Sequence, residues 1–600
     1  MNRAIKNILK QILAFVSDQY LVLFFILALG IKLYFFSTYI TKVTWSDYYT
    51  NGINTGYLSA ALVFLPLLFV RKYKNVLATI LAFLFSVLIL IDILYYSYFA
   101  SLPTVGLLSS VGQTQDIGPA ISAQLFWWQL LFFSDVVLAI ILLKPLKQFF
   151  IGVKDRHRLK MQNVMTTWAF TVVVLIGFCL SLLPVGLNNL TDVMNKGFDT
   201  VSTSQYYGVL VAHTIDTIRI INQETTHLSA TQEKDLSNWV KDNKPAQTTD
   251  ELTGMAKGKN VIMIQVESMG GFTMGQTVNG KELMPNLDKL ASQSQFFPND
   301  RFLYGAGHTS DTDFVANTSY FPLNDAAVFI RYGQDDFSSL PKTLAKAGYS
   351  TYAYHGFNRN FWNRNVTLGS LGYQKFYAAD SYPKSEKLNM GIMDGDFLNK
   401  TADYIKSQPK PSLSYIITLT SHVPFATNEK TTDLGINIKD YPEQVGGYLE
   451  NIHYVDQVLG QLFDKLKSEK LYDDSLILVY GDHTPVLPAF KTGTIDYDPA
   501  TIQEKEVPLI IKLPNKTDGK TYKDTGVHIN ITPTVFDLLG IKTNQLMFGQ
   551  SLFATGDKGL KVCKDQLVSF ASKDCKTMLE TEKLKSDMII RYNQFNNLPK

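Results

Sequence analysis

Leu476-Ile477-Leu478-Val479-Tyr480-Gly481-Asp482-His483 is the stretch that decides the fold. Its apolar run is of strand length and carries no helical spacing, so it reads as a strand buried on both faces. An acid and an imidazole follow at once. The same order recurs upstream: Val261–Val266 runs into Glu267, Ser350–Tyr354 into His355, and Leu413–Leu419 closely precedes His422. Helical segments stand between and beyond them, at Pro285–Ser294, Ser338–Ala347 and Gly446–Lys470. A further strand at Val507–Leu513 precedes a helix at Thr532–Leu539, with Pro533 in its first turn. Short apolar strands alternating with helices predict an α/β domain with a largely parallel sheet over residues 258–600. Ligands of open parallel sheets bind beyond the carboxyl ends of the strands. The four strand ends therefore bring Glu267, His355, His422 and Asp482 to one edge.

The donor types at that edge suit a divalent cation. Glu267, Asp482 and His483 offer two carboxylates and an imidazole, a mixed set that fits Mn²⁺, Zn²⁺ or Mg²⁺ without choosing among them. The group for a cation to activate is Thr309, in Gly305-Ala306-Gly307-His308-Thr309-Ser310-Asp311-Thr312-Asp313. This glycine-rich turn precedes a helix, and Ser310 and Asp313 are spaced as a capping pair. A hydroxyl at a helix N-terminus gains from the positive end of the dipole, and a bound metal lowers its pKa further. The resulting alkoxide can attack phosphorus and form a phospho-threonine. His308, His528 and His453 read as structural.

Ahead of this domain the composition changes. The 600 residues average 46% hydrophobic with a mean hydropathy of +0.02, but the apolar residues crowd the first 190 or so positions. Five stretches approach the ~20 residues needed to cross a bilayer: Tyr20–Tyr39, Tyr57–Val70, Val76–Phe99, Leu125–Leu143 and Thr167–Leu187. The second is the shortest and contains Pro66. Lys and Arg collect at the N-terminus, at 71–75 and at 144–160, while the 40–56 loop holds only Lys42 and the 100–124 loop none. That alternation puts the N-terminus inside the cell and everything after residue 187 outside. The domains are thus expected at 1–187 (five-helix transmembrane bundle), 188–257 (an amphipathic surface helix, with Tyr206 and Tyr207 towards lipid, and a polar connector from 226) and 258–600. Lys32, Asp92 and Asp135 fall inside spans and are expected to form structural ion pairs there, against the alternative of a polar path for a lipid headgroup. A net charge of +3 leaves no basic face for nucleic acid. Three cysteines make no disulfide scaffold, although Cys563 and Cys575 can pair in an oxidising compartment.

Taken in order, Glu267 after a strand, Thr309 in a glycine-rich turn and Asp482-His483 after a late strand resemble the alkaline phosphatase/sulfatase superfamily. Five membrane helices ahead of an extracellular catalytic domain look like its lipoteichoic acid synthase family. Phe361-Trp362-Asn363-Arg364, Ser421-His422-Val423-Pro424-Phe425 and the segment from His528 to Ile541 add to that likeness. The resemblance implies one divalent metal, usually Mn²⁺, held by Glu267, Thr309, Asp482 and His483. It implies that glycerol phosphate passes from phosphatidylglycerol to Thr309 and on to a polyglycerolphosphate chain or its glycolipid anchor, leaving diacylglycerol. Trp362, Arg364, His422 and His355 match its substrate-binding positions. Two departures, Thr484-Pro485-Val486-Leu487 after the Asp-His pair and Phe357 where the family often has an acid, leave a primase-like or side-branch transferase open. Phosphoethanolamine transfer to another surface glycolipid, or a non-catalytic membrane scaffold, are the alternatives.

Overall fold

The computed structural model describes residues 3–40, 53–70, 72–99, 102–105, 125–141, 156–182, 200–225, 228–242, 250–303, 305–501, 506–523, 526–554 and 573–596. They form two units, one helical and one α/β, with Glu224 and Thr225 at the main boundary between them.

The helical unit comprises α1 (Arg3–Phe35), α2 (Ile53–Phe64), α3 (Lys74–Phe99), α4 (Arg156–Leu182), α5 (Thr200–Tyr207) and α6 (Val209–Thr225). Among the described residues, three stretches are long and apolar enough to span a membrane: Gln11–Thr38, Lys74–Tyr96 and Val164–Ser181. The expected second and fourth spans appear as shorter apolar helices, Thr55–Phe69 and Trp127–Ile141. Each is part 3₁₀: Pro66 stands at the start of the 3₁₀ turn Leu65–Phe69, where its missing N–H ends α-helical bonding, and Trp127–Phe133 is also 3₁₀. The unit's polarity is reversed relative to a soluble protein. Leu130, Ile141, Val173 and Leu27 are exposed, while Lys32, Asp92 and Asp135 are buried. Such a surface is stable only against lipid, so this is a membrane protein. The buried charges are paired as expected. Lys32 Nζ lies 2.7 Å from Asp135 Oδ1 and donates to Ser86 Oγ at 2.7 Å, and Asp92 holds His213 Nε2 at 3.0 Å. Tyr207 is buried rather than turned to lipid, which corrects the sequence reading; the Tyr206 side chain lies outside the described residues, as do Cys563 and the Cys575 side chain.

In the α/β unit, eight strands form one sheet: β1 (Asn260–Val266), β2 (Gln295–Arg301), β3 (Ser350–His355), β4 (Lys375–Tyr377), β5 (Ser412–Ile417), β6 (Ser475–Gly481), β7 (Glu506–Lys512) and β8 (Lys520–Thr521). Their order is β8-β2-β7-β6-β1-β5-β3-β4. All run the same way except β7, which pairs antiparallel with both β6 and β2. No helix separates β6 from β7 among the described residues, only the small hairpin Phe490–Thr492/Ile495–Tyr497, so the chain has no crossover and must return antiparallel. Alternate residues of each central strand feed two cores. Val261, Met263, Leu476 and Leu478 pack on one face with α9 (Thr309–Thr318), α13 (Ile531–Leu539) and α14 (Lys573–Arg591). Ile262, Ile264, Ile477 and Val479 pack on the other with α8 (Pro285–Ser292), α11 (Asp394–Ser407) and α12 (Val445–Ser468). α10 (Leu340–Lys346) precedes β3. The connector read as polar contains α7 (Ala230–Asp242), whose Leu236 and Val240 join the first core. Their spacing of four marks one face of a short amphipathic helix inside a polar stretch.

Candidate active site

Parallel register alone assembles the site. The neighbours β6, β1, β5 and β3 end together, so Asp482, Glu267, the Thr418–His422 loop and His355 meet at one edge. The backbone of Glu267 is gripped on both sides by that loop: its N–H donates to Thr418 Oγ1 at 3.0 Å, and its carbonyl accepts from Ser421 Oγ at 2.6 Å. Ser268 Oγ donates to Glu267 Oε1 at 2.8 Å. Asp482 Oδ1 accepts from the Ser268 and His483 N–H groups, each at 2.7 Å. Its Oδ2 is buried and accepts no hydrogen bond.

His483 shows what the cluster lacks. Its Nδ1 lies 2.9 Å from the Thr484 carbonyl, which can only accept, so Nδ1 carries the proton and Nε2 presents a lone pair. That Nε2 faces Thr309 Oγ1 at 3.4 Å, Glu267 Oε1 at 3.5 Å and Asp482 Oδ2 at 3.6 Å. One atom from each of Glu267, Asp482 and His483 falls within 4.8 Å of the others. Lone pairs of two carboxylates and one imidazole converge on a single point, with the Thr309 hydroxyl beside them. Burial and the nearby Glu267 charge push the Asp482 carboxyl well above the usual carboxylate range. Burial pushes Glu267 up as well, but the imidazoles of His422 and His483 hold it below that range. A divalent cation relieves both the repulsion and the orphaned oxygen, so the residues fit a metal.

Thr309 is the first residue of α9 and is nearly buried. The turn ahead of it needs its glycines: a Cβ on Gly305 would meet the Leu323 carbonyl at 1.9 Å, and one on Gly307 would meet Asp311 Oδ1 at 2.4 Å. Asp311 Oδ2 accepts from the Gly305 and Gly307 N–H groups at 2.7 and 2.8 Å, and Thr312 Oγ1 donates to the Asp482 carbonyl at 2.9 Å. The expected pairing of Ser310 with Asp313 is not formed. Ser310 Oγ donates to the Gly307 carbonyl instead, and Asp313 turns into the protein.

Among the substrate positions, Arg364 is buried with its Nε 2.8 Å from Asp313 Oδ2. Its Nη1 lies 3.3 Å from His355 Nε2. His355 Nδ1 lies 3.1 Å from the Ile417 carbonyl, so its Nε2 is the acceptor. His355 thus steadies Arg364 and is fully buried, where the sequence placed it at the substrate. Burial and the Arg364 charge push its pKa well below the usual imidazole value. His422 is buried with Nδ1 2.6 Å from the Val423 carbonyl; burial lowers its pKa although Glu267 opposes this. Trp362 is half-buried, and it and Asn363 both hold positive φ, at 53° and 56°, a strained pair of the kind found at ligand clamps. His453 and His528 are buried. His453 Nδ1 bonds the Leu283 carbonyl, and His528 packs on Tyr480, as a structural reading expects.

A doubly covered parallel sheet with a cation-ready cluster at its carboxyl edge and a hydroxyl on the adjoining helix defines an enzyme of the alkaline phosphatase/sulfatase type. The sulfatase family model matches residues 259–541, and the lipoteichoic acid synthase N-terminal domain model matches residues 1–228. The chain is similar to the lipoteichoic acid synthase of Staphylococcus aureus, 30% identical over 494 residues, which cover 79% of this chain and 74% of that one. It is similar in structure to the lipoteichoic acid synthase LtaP from Listeria monocytogenes, with a TM-score of 0.51 and 25% identity over 61% of this chain and 99% of that one. The chain belongs to the lipoteichoic acid synthase family, and it is a phosphotransferase.

Proposed function

We propose that this enzyme moves glycerol phosphate from phosphatidylglycerol through Thr309 to a polyglycerolphosphate chain or its glycolipid anchor. The observation that carries the reading is the convergence of Thr309 Oγ1, Glu267, Asp482 and His483 Nε2 on one point. Those four residues would hold the cation, with Mn²⁺ the favoured ion. When bound, it lowers the pKa of the threonine hydroxyl and neutralises charge on the phosphoryl oxygens.

The chain's own residues do the rest. Thr309 Oγ1 forms a bond to phosphorus as the bond from phosphorus to the diacylglycerol oxygen breaks, and that oxygen ends with the proton Thr309 gave up. Arg364 holds phosphate through Nη2, the one guanidinium nitrogen without a hydrogen-bond partner. Trp362 and His422 flank the glycerol, and His355 keeps Arg364 in place. An acceptor hydroxyl then forms a bond to phosphorus as the bond from phosphorus to Thr309 Oγ1 breaks, and the acceptor's proton restores the threonine hydroxyl. The basic loops support five membrane spans with the catalytic domain on the outer surface, where the donor headgroup and the growing polymer both lie.

The test is diacylglycerol release by full-length protein in vesicles containing phosphatidylglycerol and Mn²⁺. Release is expected to fall at least about a thousandfold in Thr309→Ala. Release unchanged in that variant would remove Thr309 from the reaction.

A further inference from the structure

Arg364 has its direction fixed by a residue that the sequence placed in a helix cap. Asp313 is four residues after Thr309, one turn further along α9, and is fully buried. Its Oδ2 accepts from Arg364 Nε at 2.8 Å. Its Oδ1 accepts from Gln265 Nε2 of β1 at 2.9 Å and lies 2.7 Å from the hydroxyl of Tyr415 on β5, which is also 2.6 Å from Gln265 Oε1. The same helix is pinned a turn later, where Asn317 Oδ1 accepts from the Tyr373 hydroxyl at 2.6 Å. A buried guanidinium without a counter-charge is strongly disfavoured, and Asp313 supplies that charge. A planar fork held at two nitrogens, by Asp313 at Nε and His355 at Nη1, can aim its remaining Nη2 in only one direction.

From this geometry we infer that Asp313 is a positioning residue: it locks the Arg364 guanidinium to the helix that begins with Thr309, so that nucleophile and phosphate-holding group share one rigid frame. The inference rests on the proposed role of Arg364 at phosphate. Asp313 touches no substrate and acts through Arg364, so its effect must depend on Arg364 being present.

The experiment is a binding cycle on full-length, Mn²⁺-loaded protein in detergent, titrated with glycerol phosphate. Arg364→Ala is expected to weaken binding about thirtyfold, the loss of a charge-assisted contact. Asp313→Asn, which sets an amide N–H against one of three donors, is expected to weaken it about tenfold beside a native Arg364, but less than about twofold in the Arg364→Ala background. Tyr373→Phe removes a buried hydrogen bond from the same helix without touching Arg364 and is expected to lower the melting temperature while leaving affinity within about twofold. Should Asp313→Asn not fold, Tyr415→Phe frees one side of the same carboxylate and is read in the same cycle. Native affinity in the Asp313 variant, or an equal loss with and without Arg364, overturns the inference. Native affinity in Arg364→Ala overturns the underlying reading of Arg364 as well.

Discussion

His483 illustrates how a single tautomer fixes the chemistry of its surroundings. With the proton held at Nδ1 by the Thr484 carbonyl, Nε2 offers its lone pair to the point where Glu267, Asp482 and the Thr309 hydroxyl meet. A cation that binds the folded cluster and not the unfolded chain stabilises by mass action, by about 2.7 kcal/mol at a hundred times its dissociation constant. Saturating Mn²⁺ should therefore raise the melting temperature of the native protein, and Asp482→Ala should abolish the shift; an equal shift in that variant would mean that the ion binds elsewhere. The meeting of Glu267, Asp482 and His483 was readable from sequence because each stands at the end of a strand and the register of a parallel sheet does the assembling. Asp313 was not, because a spacing of three from Ser310 suits a capping pair and only the fold shows which way the carboxylate turns. His355 was legible at the sheet edge, but nothing in sequence reveals that Arg364 folds back to reach its Nε2.

Between residues and fold stands the loop after β5, which grips Glu267 and is itself set by the first residue of α11. Asp394 is fully buried and accepts from the Leu419 N–H at 3.0 Å and the Thr420 N–H at 2.8 Å, while its own N–H donates to Thr420 Oγ1. Burial raises its pKa to about 6, against the lowering effect of those N–H groups. The folded protein thus holds this proton more tightly than the unfolded chain. The associated stability is complete below the ordinary carboxylate value and is lost as pH rises through about 6, a change on the order of 3 kcal/mol. Thermal melts at pH 4.5 and pH 7 should show that slope in the native protein and a flatter one in Asp394→Asn; identical slopes would remove Asp394 as the source. The principal strands and the helices α8, α10, α12 and α13 were legible from apolar runs, within a residue or two at their ends, whereas α7, α11 and α14 were not read. Nor was β2. Its sequence, Gln295-Phe296-Phe297-Pro298-Asn299-Asp300-Arg301, has no alternating or continuous apolar run and a proline at its centre. The ladder tolerates it because the register shifts between Val507 and Leu509, leaving Pro298 and Pro508, which have no N–H to donate, outside the paired positions.

At the scale of the whole molecule, the two units solve opposite solvation problems. The α/β unit buries its sheet between two layers of helix, whereas the helical unit turns apolar side chains outward and keeps Lys32, Asp135 and Ser86 together within. Removing one partner of a buried pair strands the other, at a cost of about 3–5 kcal/mol, whereas replacing both with apolar residues of similar size is close to neutral. Lys32→Met should therefore lower the melting temperature in detergent, and adding Asp135→Leu should restore most of it; a double variant less stable than the single would assign the pair a role beyond packing. Charge alternation between loops is a rule about the chain and the membrane together, so sequence conveys the spans more readily than their internal breaks, such as the 3₁₀ turn at Pro66. The most direct test joins the two scales, because the proposed donor is a membrane lipid and the proposed acceptor atom a single oxygen. Full-length protein turning over phosphatidylglycerol with Mn²⁺ is quenched in acid, digested and analysed by peptide mass spectrometry. A glycerophosphate adduct confined to Thr309, and absent after chelation, is the predicted result. Rapid diacylglycerol release with Thr309 unmodified under single-turnover conditions would contradict the account.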